Sequence, residues 1–316
     1  MVLRGLRRYP VALAAVCSAS DSGGSTGLIR DEFGDALPSG DIRRCLAALS
    51  QNDEMCELLE HRFEGDGSTT PRITNHNLGN LILLAAEQRW GAVAGIDAVG
   101  KILQINGRVL PVTTDIVHLI GELSDGTMLR GEGRIDTRDV GDERTLKKVW
   151  LEPKAFICRE AAEVIINADM IVIGPGDLYT SLVPNLLVEG MADALAQSKA
   201  RIVYVVNLMT KWAETRDYTA ADFAETLLKY GIGHNKLDTV LVNYAKIPDA
   251  ILDFYSKTEK ATPIDVGEKT LARLRKLAHT VVYEDVLSTV GLQHNLIRHD
   301  PEKVGHCIMK ILGEGK

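Results

Sequence analysis

Five stretches of this 316-residue chain group glycine, hydroxyl, amide and carboxylate side chains in patterns that can hold a phosphate or a cation. The first is Ser20-Asp21-Ser22-Gly23-Gly24-Ser25-Thr26-Gly27, between an apolar run and a helix expected over 28–33. Gly23, Gly24 and Gly27 would let backbone N–H groups approach a phosphate, Ser25 and Thr26 add hydroxyl donors, and Arg30 adds positive charge. Asp21, at the carboxyl end of an expected strand, stands where open α/β sheets place their ligands. The plainer reading is a tight strand-to-helix turn. The same residues also spell G-x-S-x-G, the nucleophile elbow of α/β-hydrolases, with Ser25 as nucleophile. An elbow serine follows several strands of its sheet and here at most one precedes it, so a serine hydrolase is the remote alternative.

The second stretch is Pro38-Ser39-Gly40-Asp41-Ile42-Arg43-Arg44. Asp41 fits two roles, the N-cap of the next helix or a carboxylate that holds a divalent cation together with Asp21. Arg43 or Arg44 can pair with a diphosphate. In the third, His76, Asn77 and Asn80 open a helix, where they either cap it or present donors to a ligand. The fourth follows a strand: Gly174-Pro175-Gly176-Asp177-Leu178-Tyr179-Thr180-Ser181, then Asn185 before a helix. It is more polar and permissive than a connecting loop requires. The fifth, also after a strand, holds Asn207, Thr210 and Glu214. Glu214 lies four rather than three residues after Thr210, so a capping box fits imperfectly. No P-loop, complete G-x-G-x-x-G, H-E-x-x-H or zinc-type Cys/His spacing occurs.

Elements that would position these groups are readable from periodicity. Short Val/Ile-rich runs at 12–18, 170–173, 201–206, 238–242 and 281–283 read as buried parallel strands. Helical patterns lie at 41–49, 80–89, 161–167, 186–198, 220–230 and 268–277. That alternation predicts an α/β fold with a Rossmann-like three-layer, doubly wound, mainly parallel sheet. Segments 108–112, 116–123, 128–135 and 147–151 instead read as short strands of a β-rich insert over about 102–153. The organisation expected is one α/β domain over 1–316 containing that insert. Three strand ends carrying polar loops on one side of one sheet outline a binding crevice.

Composition narrows the partners. The chain is 45% hydrophobic and 25% charged, with 36 basic against 43 acidic residues and a formal charge of −7. It lacks the broad basic footprint of a nucleic-acid or anionic-membrane binder, and it has no apolar run near the ~18–20 residues of a membrane span. Five cysteines without a CxxC pair suit a reducing compartment better than a disulfide framework. Residues 1–20 have the outline of a short signal peptide, basic and then apolar. The reading preferred is a helix, a break at Pro10 and a buried strand, in a cytoplasmic protein.

The motifs ASDSGGSTGLIRDEFG, LPSGDIRRCLAAL, HNLGNLIL, GRVLPVT, IGPGDLYTSLVPNLLVEG, NLMTKWAET and the late Arg298-His299-Asp300 resemble the CofD-like superfamily, in order and spacing over nearly the whole chain. Within it the chain is similar to the gluconeogenesis factor (YvcK-type) branch. That resemblance implies a nucleotide or nucleotide-sugar ligand, notably UDP-N-acetylglucosamine, across the strand ends, and a link to cell-wall precursor supply and cell shape. A homo-oligomer is compatible with it. The alternative it implies is a 2-phospho-L-lactate transferase of coenzyme F420 synthesis, using Mg²⁺ on Asp21 and Asp41. Tyr255 and Arg298 match an arginine and a tyrosine of the family's C-terminal region. Two departures stand out. The family opens with a strand and a GGGTG-type loop before the helix at 2–9, and that segment is expected to be missing. Its paired aspartates read Asp21-Ser22 here.

Overall fold

The computed structural model describes residues 1–33, 36–64, 73–232 and 237–313. Gly34, the last residue of the first motif, lies outside them. Helix α1 (Val2–Leu6) precedes β1 (Ala14–Cys17), which runs into α2 (Gly24–Phe33). Next come α3 (Gly40–Leu49), α4 (Asp53–Glu60), α5 (Leu78–Trp90), α6 (Ala92–Ile102) and β2 (Arg108–Pro111). β3 (His118–Leu123), β4 (Met128–Arg130), α7 (Glu132–Asp136) and β5 (Leu146–Glu152) follow, the strands forming an antiparallel sheet in the order β4-β3-β5. After α8 (Arg159–Ile166), the strands β6 (Met170–Ile173), β7 (Arg201–Val205), β8 (Leu237–Asn243) and β9 (Ala278–Glu284) form a parallel sheet in that order. A π-helical turn Leu178–Leu182 runs into α9 (Val183–Leu186), followed by α10 (Met191–Gln197), α11 (Trp212–Thr215) and α12 (Ala220–Leu227). The chain continues through a second π-helical turn Leu228–Ile232, then α13 (Asp249–Thr258), α14 (Glu268–Leu277), α15 (Thr289–Gln293) and α16 (Pro301–Gly313).

Layering follows from which face each apolar run covers. Tyr204, Val240 and Val242 face one side of the β6–β9 sheet, packing with Phe223 and Ala224 of α12 and Leu274 of α14. Val205 and Leu241 face the other side, against Leu6 of α1 and Val304 and Ile308 of α16. Helices therefore cover both faces, as a buried parallel sheet demands. A separate cluster joins β1 and β2 to α3, α5 and α6 through Cys17, Val109, Leu46, Leu83 and Val99.

Several expectations change. Residues 108–112 belong with β1, in parallel register from Ala14 opposite Arg108 to Cys17 opposite Pro111, so the antiparallel sheet begins at His118. The parallel strands fall into two ladders, β1-β2 and β6 to β9, rather than one. The strand expected over 128–135 stops at Arg130; Gly131 (φ 98°) turns the chain into α7, whose Ile135 is fully buried. The helix expected over 186–198 is cut by Gly190, at φ 92° and with Ile157 close enough to exclude a side chain. The segment 23–27, expected as a loop, is largely the first turn of α2.

Candidate functional site

Three carboxyl ends of parallel strands carry the predicted motifs, and the structure brings them together. At the end of β1 the Gly23 amide donates to Asp21 Oδ1 at 2.8 Å and the Thr26 hydroxyl donates to Oδ2 at 3.3 Å. These bonds bend the chain back over the start of α2, and Gly27 permits it, because a Cβ there would lie 2.5 Å from the Ser22 carbonyl oxygen. Arg30 donates to the carbonyls of Asp21 (3.3 Å) and Val117 (3.0 Å), so it anchors the loop.

Helix α3 meets the same point. A Cβ on Gly40 would stand 2.5 Å from Asp21 Oδ2, so the helix N-terminus presses on that carboxylate. Ser39 holds the N-cap position and Asp41 lies in the first turn, 3.3 Å from Arg44. Burial first, and the neighbouring charge of Asp21 second, push the Asp41 carboxyl above its ordinary range. Arg43 is buried and donates through Nε to Asn80 at 3.2 Å. Asn77 caps α5 by accepting from Asn80 N, and its own N–H donates to Ser25 Oγ at 3.0 Å. His76 is 2% exposed, with Nε2 3.7 Å from Glu32 and Nδ1 without a partner.

Beyond β6, Gly174 (φ 74°) and Pro175 lead to Gly176, whose amide N–H and carbonyl are both bonded by the Asn207 side chain. Glu214, fully buried, accepts from Tyr179 N (2.8 Å), Thr180 N (3.3 Å) and Thr180 Oγ1 (2.7 Å). Donors expected to cradle a phosphate are therefore already engaged by a carboxylate. Burial first, and then Asp177, push Glu214 up to about 7. The Tyr179 hydroxyl meets Tyr218 at 2.8 Å, Asn185 donates to the Ser181 carbonyl, and Thr210 is bonded to Thr262. Most predicted ligand side chains thus build the loop framework.

Two acids that sequence reasoning missed come from α7. Lys211 joins Asp136, Asp177 (2.7 Å) and Glu214 (3.6 Å), whose carboxylate oxygens all lie within 4.8 Å of one another. Burial opposes the charge of Lys211, but Glu214 and Asp177 outweigh it and raise its proton affinity. Glu132 is pushed up to about 8 by burial, with Asp21 and Asp136 adding to the effect. Nothing in the periodicity around residues 132–136 signals this, because the alternation over 128–135 reads as a short strand of the insert and not as the helix that carries both acids. Tyr255 and Arg298 lie elsewhere, beside each other: the buried Tyr255 hydroxyl accepts from Ile297 N (3.2 Å), and the exposed Arg298 donates to the Ile297 carbonyl (3.1 Å). His299 contacts the Val206 carbonyl at 3.0 Å, and burial pushes its pKa down to about 4.

Ser25 does not form an elbow. Its hydroxyl oxygen accepts from the Asn77 amide inside the first turn of α2. The crevice is instead a ring of acids, with Asp21 and Asp41 at one end and Asp136, Asp177 and Glu214 around Lys211 at the other.

The sequence model of the family described as 2-phospho-L-lactate transferase CofD matches residues 1–287. The chain belongs to the CofD family. Among CofD-related proteins it is 40% identical over 315 residues to a gluconeogenesis factor of Halalkalibacterium halodurans, covering 98% of this chain and 92% of that one. It is 37% identical over 317 residues to the gluconeogenesis factor of Bacillus subtilis, covering 99% and 95%. A crystal structure of a Bacillus halodurans protein superposes with a TM-score of 0.87 at 38% identity, covering 98% of this chain and 94% of the other. The CofD-like α/β fold and the gluconeogenesis factor branch expected from the motifs are therefore established. Among the described residues no helix is long and apolar enough to cross a membrane.

Proposed function

We propose that this CofD-family chain binds a nucleotide sugar of the UDP-N-acetylglucosamine kind and acts as a regulator linked to cell-wall precursor supply and cell shape. The observation that carries this is a cleft of about 190 Å³ at the ends of β7 and β8, walled by Val206, Asn207, Leu208, Ile247, Pro263 and Ile264. Asn207 holds Gly176, the neighbour of Asp177 and hence of the Lys211 cluster. An apolar hollow beside a charged loop suits a base and sugar attached to a diphosphate. The crevice lies outside the carboxyl ends of a parallel sheet, where such folds bind ligands. All five cysteines are free thiols, which supports a cytoplasmic setting.

A second reading, a Mg²⁺-dependent transferase of the 2-phospho-L-lactate type, is favoured by the Asp21–Asp41 pair. Two carboxylates, one on the loop after β1 and one in the first turn of α3 where burial first and its neighbour second favour the protonated form, fit a hard divalent cation, which would neutralise them and the phosphates of a ligand.

Thermal unfolding with UDP-N-acetylglucosamine, UDP-glucose and GDP, each with and without Mg²⁺, separates the two. A ligand at 100 times its Kd adds about 2.7 kcal/mol. A shift with UDP-sugar alone is the expected result. A shift with GDP that needs Mg²⁺ and vanishes in Asp21→Asn supports the transferase. No shift with any of them overturns both.

A further inference from the structure

Between α7 and β5, residues 138–143 lie against α11 and are held there by side chains. Trp212 Nε1 donates to the Asp142 carbonyl at 3.0 Å, Arg216 to the Glu143 carbonyl at 2.7 Å and Lys260 to the Val140 carbonyl at 2.6 Å. Arg138 reaches the other way, to the Ala213 carbonyl. The Arg216 and Lys260 cations also stand 4.5 and 4.3 Å from the centroid of the Trp212 ring, within cation–π range, so the three donors hold one another in place. The segment's own backbone contributes little. Among the described residues its one backbone–backbone bond, from Asp142 N to the Asp139 carbonyl, is internal. Its flanks are firmer: Thr137 N closes α7 on the Gly133 carbonyl, and Arg144 pairs with Asp125 of the β3–β4 turn at 3.3 Å.

We propose that residues 138–143 form a strap that unlatches from α11 as a unit, hinged at Thr137 and Arg144, and uncovers the Lys211 cluster. Segments with few backbone bonds and few buried apolar contacts open locally while the rest of the fold stays intact, and lids over binding crevices are drawn from them. The one large apolar side chain here is the half-buried Val140, so no core packing keeps the strap shut. Its position gives the opening a consequence. The strap begins two residues after Asp136, which pairs with Lys211, and Arg138 binds the carbonyl of Ala213, which lies between Lys211 and Glu214. Release withdraws Arg138 from that carbonyl and opens the α7 side of Lys211 to solvent. Trp212, Arg216 and Lys260 therefore set how often the charged end of the crevice is accessible.

The test compares the wild-type protein with Lys260→Met, Arg216→Met and Lys260→Arg under native conditions. Two rates are followed by peptide mass spectrometry: cleavage after Glu143 by a glutamate-specific protease, and acetylation of Lys211 by an amine-reactive ester. Cleavage and labelling of this kind track the population of the locally open form. Each methionine variant lacks one latch bond, so both rates should rise together by about tenfold, with the urea midpoint close to that of the wild type. Lys260→Arg keeps a charged donor and should stay near the wild-type rates. Unchanged rates in the methionine variants overturn the proposal, as does faster cleavage at Glu143 without faster labelling of Lys211. A rise in both rates matched by an equal loss of global stability also overturns it, because the opening would then be unfolding of the whole chain.

Discussion

Glu214 holds Thr180 by both its amide and its hydroxyl, at 3.3 and 2.7 Å, joining the loop after β7 to the loop after β6. With Tyr179 N as a third donor, the carboxylate occupies what a bare helix start would offer to an anion. The acid is fully buried and also faces Asp177, so it is costly to ionise.

Glu214→Gln should therefore change how stability depends on pH. The folded-state pKa of about 7 is raised above the ordinary 4.5, so the folded protein binds more protons between those values and stability falls as pH rises through that window. Replacing the carboxyl removes that contribution, on the order of 2–3 kcal/mol. Urea unfolding at about pH 5 and about pH 8 should show a smaller fall in the variant than in the wild type. Equal falls would mean that Glu214 stays ionised throughout.

Lys211→Met should leave Asp136, Asp177 and Glu214 facing one another without the ammonium between them. A loss of about 1–3 kcal/mol is expected, moderated because the lysine is partly exposed. Because the three carboxylate oxygens lie within 4.8 Å of one another, added Mg²⁺ should raise the melting temperature of the variant more than that of the wild type. An identical Mg²⁺ response in both proteins contradicts this.

Gly40→Ala places a methyl group 2.5 Å from Asp21 Oδ2 and 3.2 Å from Thr26 Oγ1. Either α3 retreats or Asp21 turns away, at a cost of about 1–3 kcal/mol. The variant should fold, with unchanged circular dichroism, and lose most of the stabilisation that a nucleotide ligand confers. Full retention of ligand binding would show that Asp21 does not need its position.

Tyr204→Phe should stabilise the protein. Tyr204 is fully buried on β7 and its hydroxyl has no hydrogen-bond partner. Removing an unsatisfied buried hydroxyl is expected to gain about 1 kcal/mol. The urea midpoint should rise with an unchanged slope, and a fall would point to a bound water on that hydroxyl.

Local pattern was a good guide where one face decides the conformation. β6, at Met170–Ile173, has the expected bounds, and so does α14 at Glu268–Leu277. Helices α4, α6, α13, α15 and α16 were not anticipated. α6, Ala-Val-Ala-Gly-Ile-Asp-Ala-Val-Gly-Lys-Ile, is apolar around most of its circumference, so its period is weak.

At the site, residue types were legible but employment was not. Asn77 was singled out at the start of a helix and Asn207, Thr210 and Glu214 on a strand-end loop, and all four hold neighbouring segments in place. Hydrogen-bond partners up to 52 residues away in sequence have no local signature.

The sequence by itself determined the family, the α/β class and the strand ends on which the polar loops sit, because these follow from side-chain period and from glycine, hydroxyl and carboxylate chemistry at short spacing. Only the tertiary structure decided that β2 pairs with β1 and that α7 carries Glu132 and Asp136 toward Asp21 and Lys211. Pairing partners, burial and charge proximity are set by how distant segments pack, and the same local pattern is compatible with several such packings.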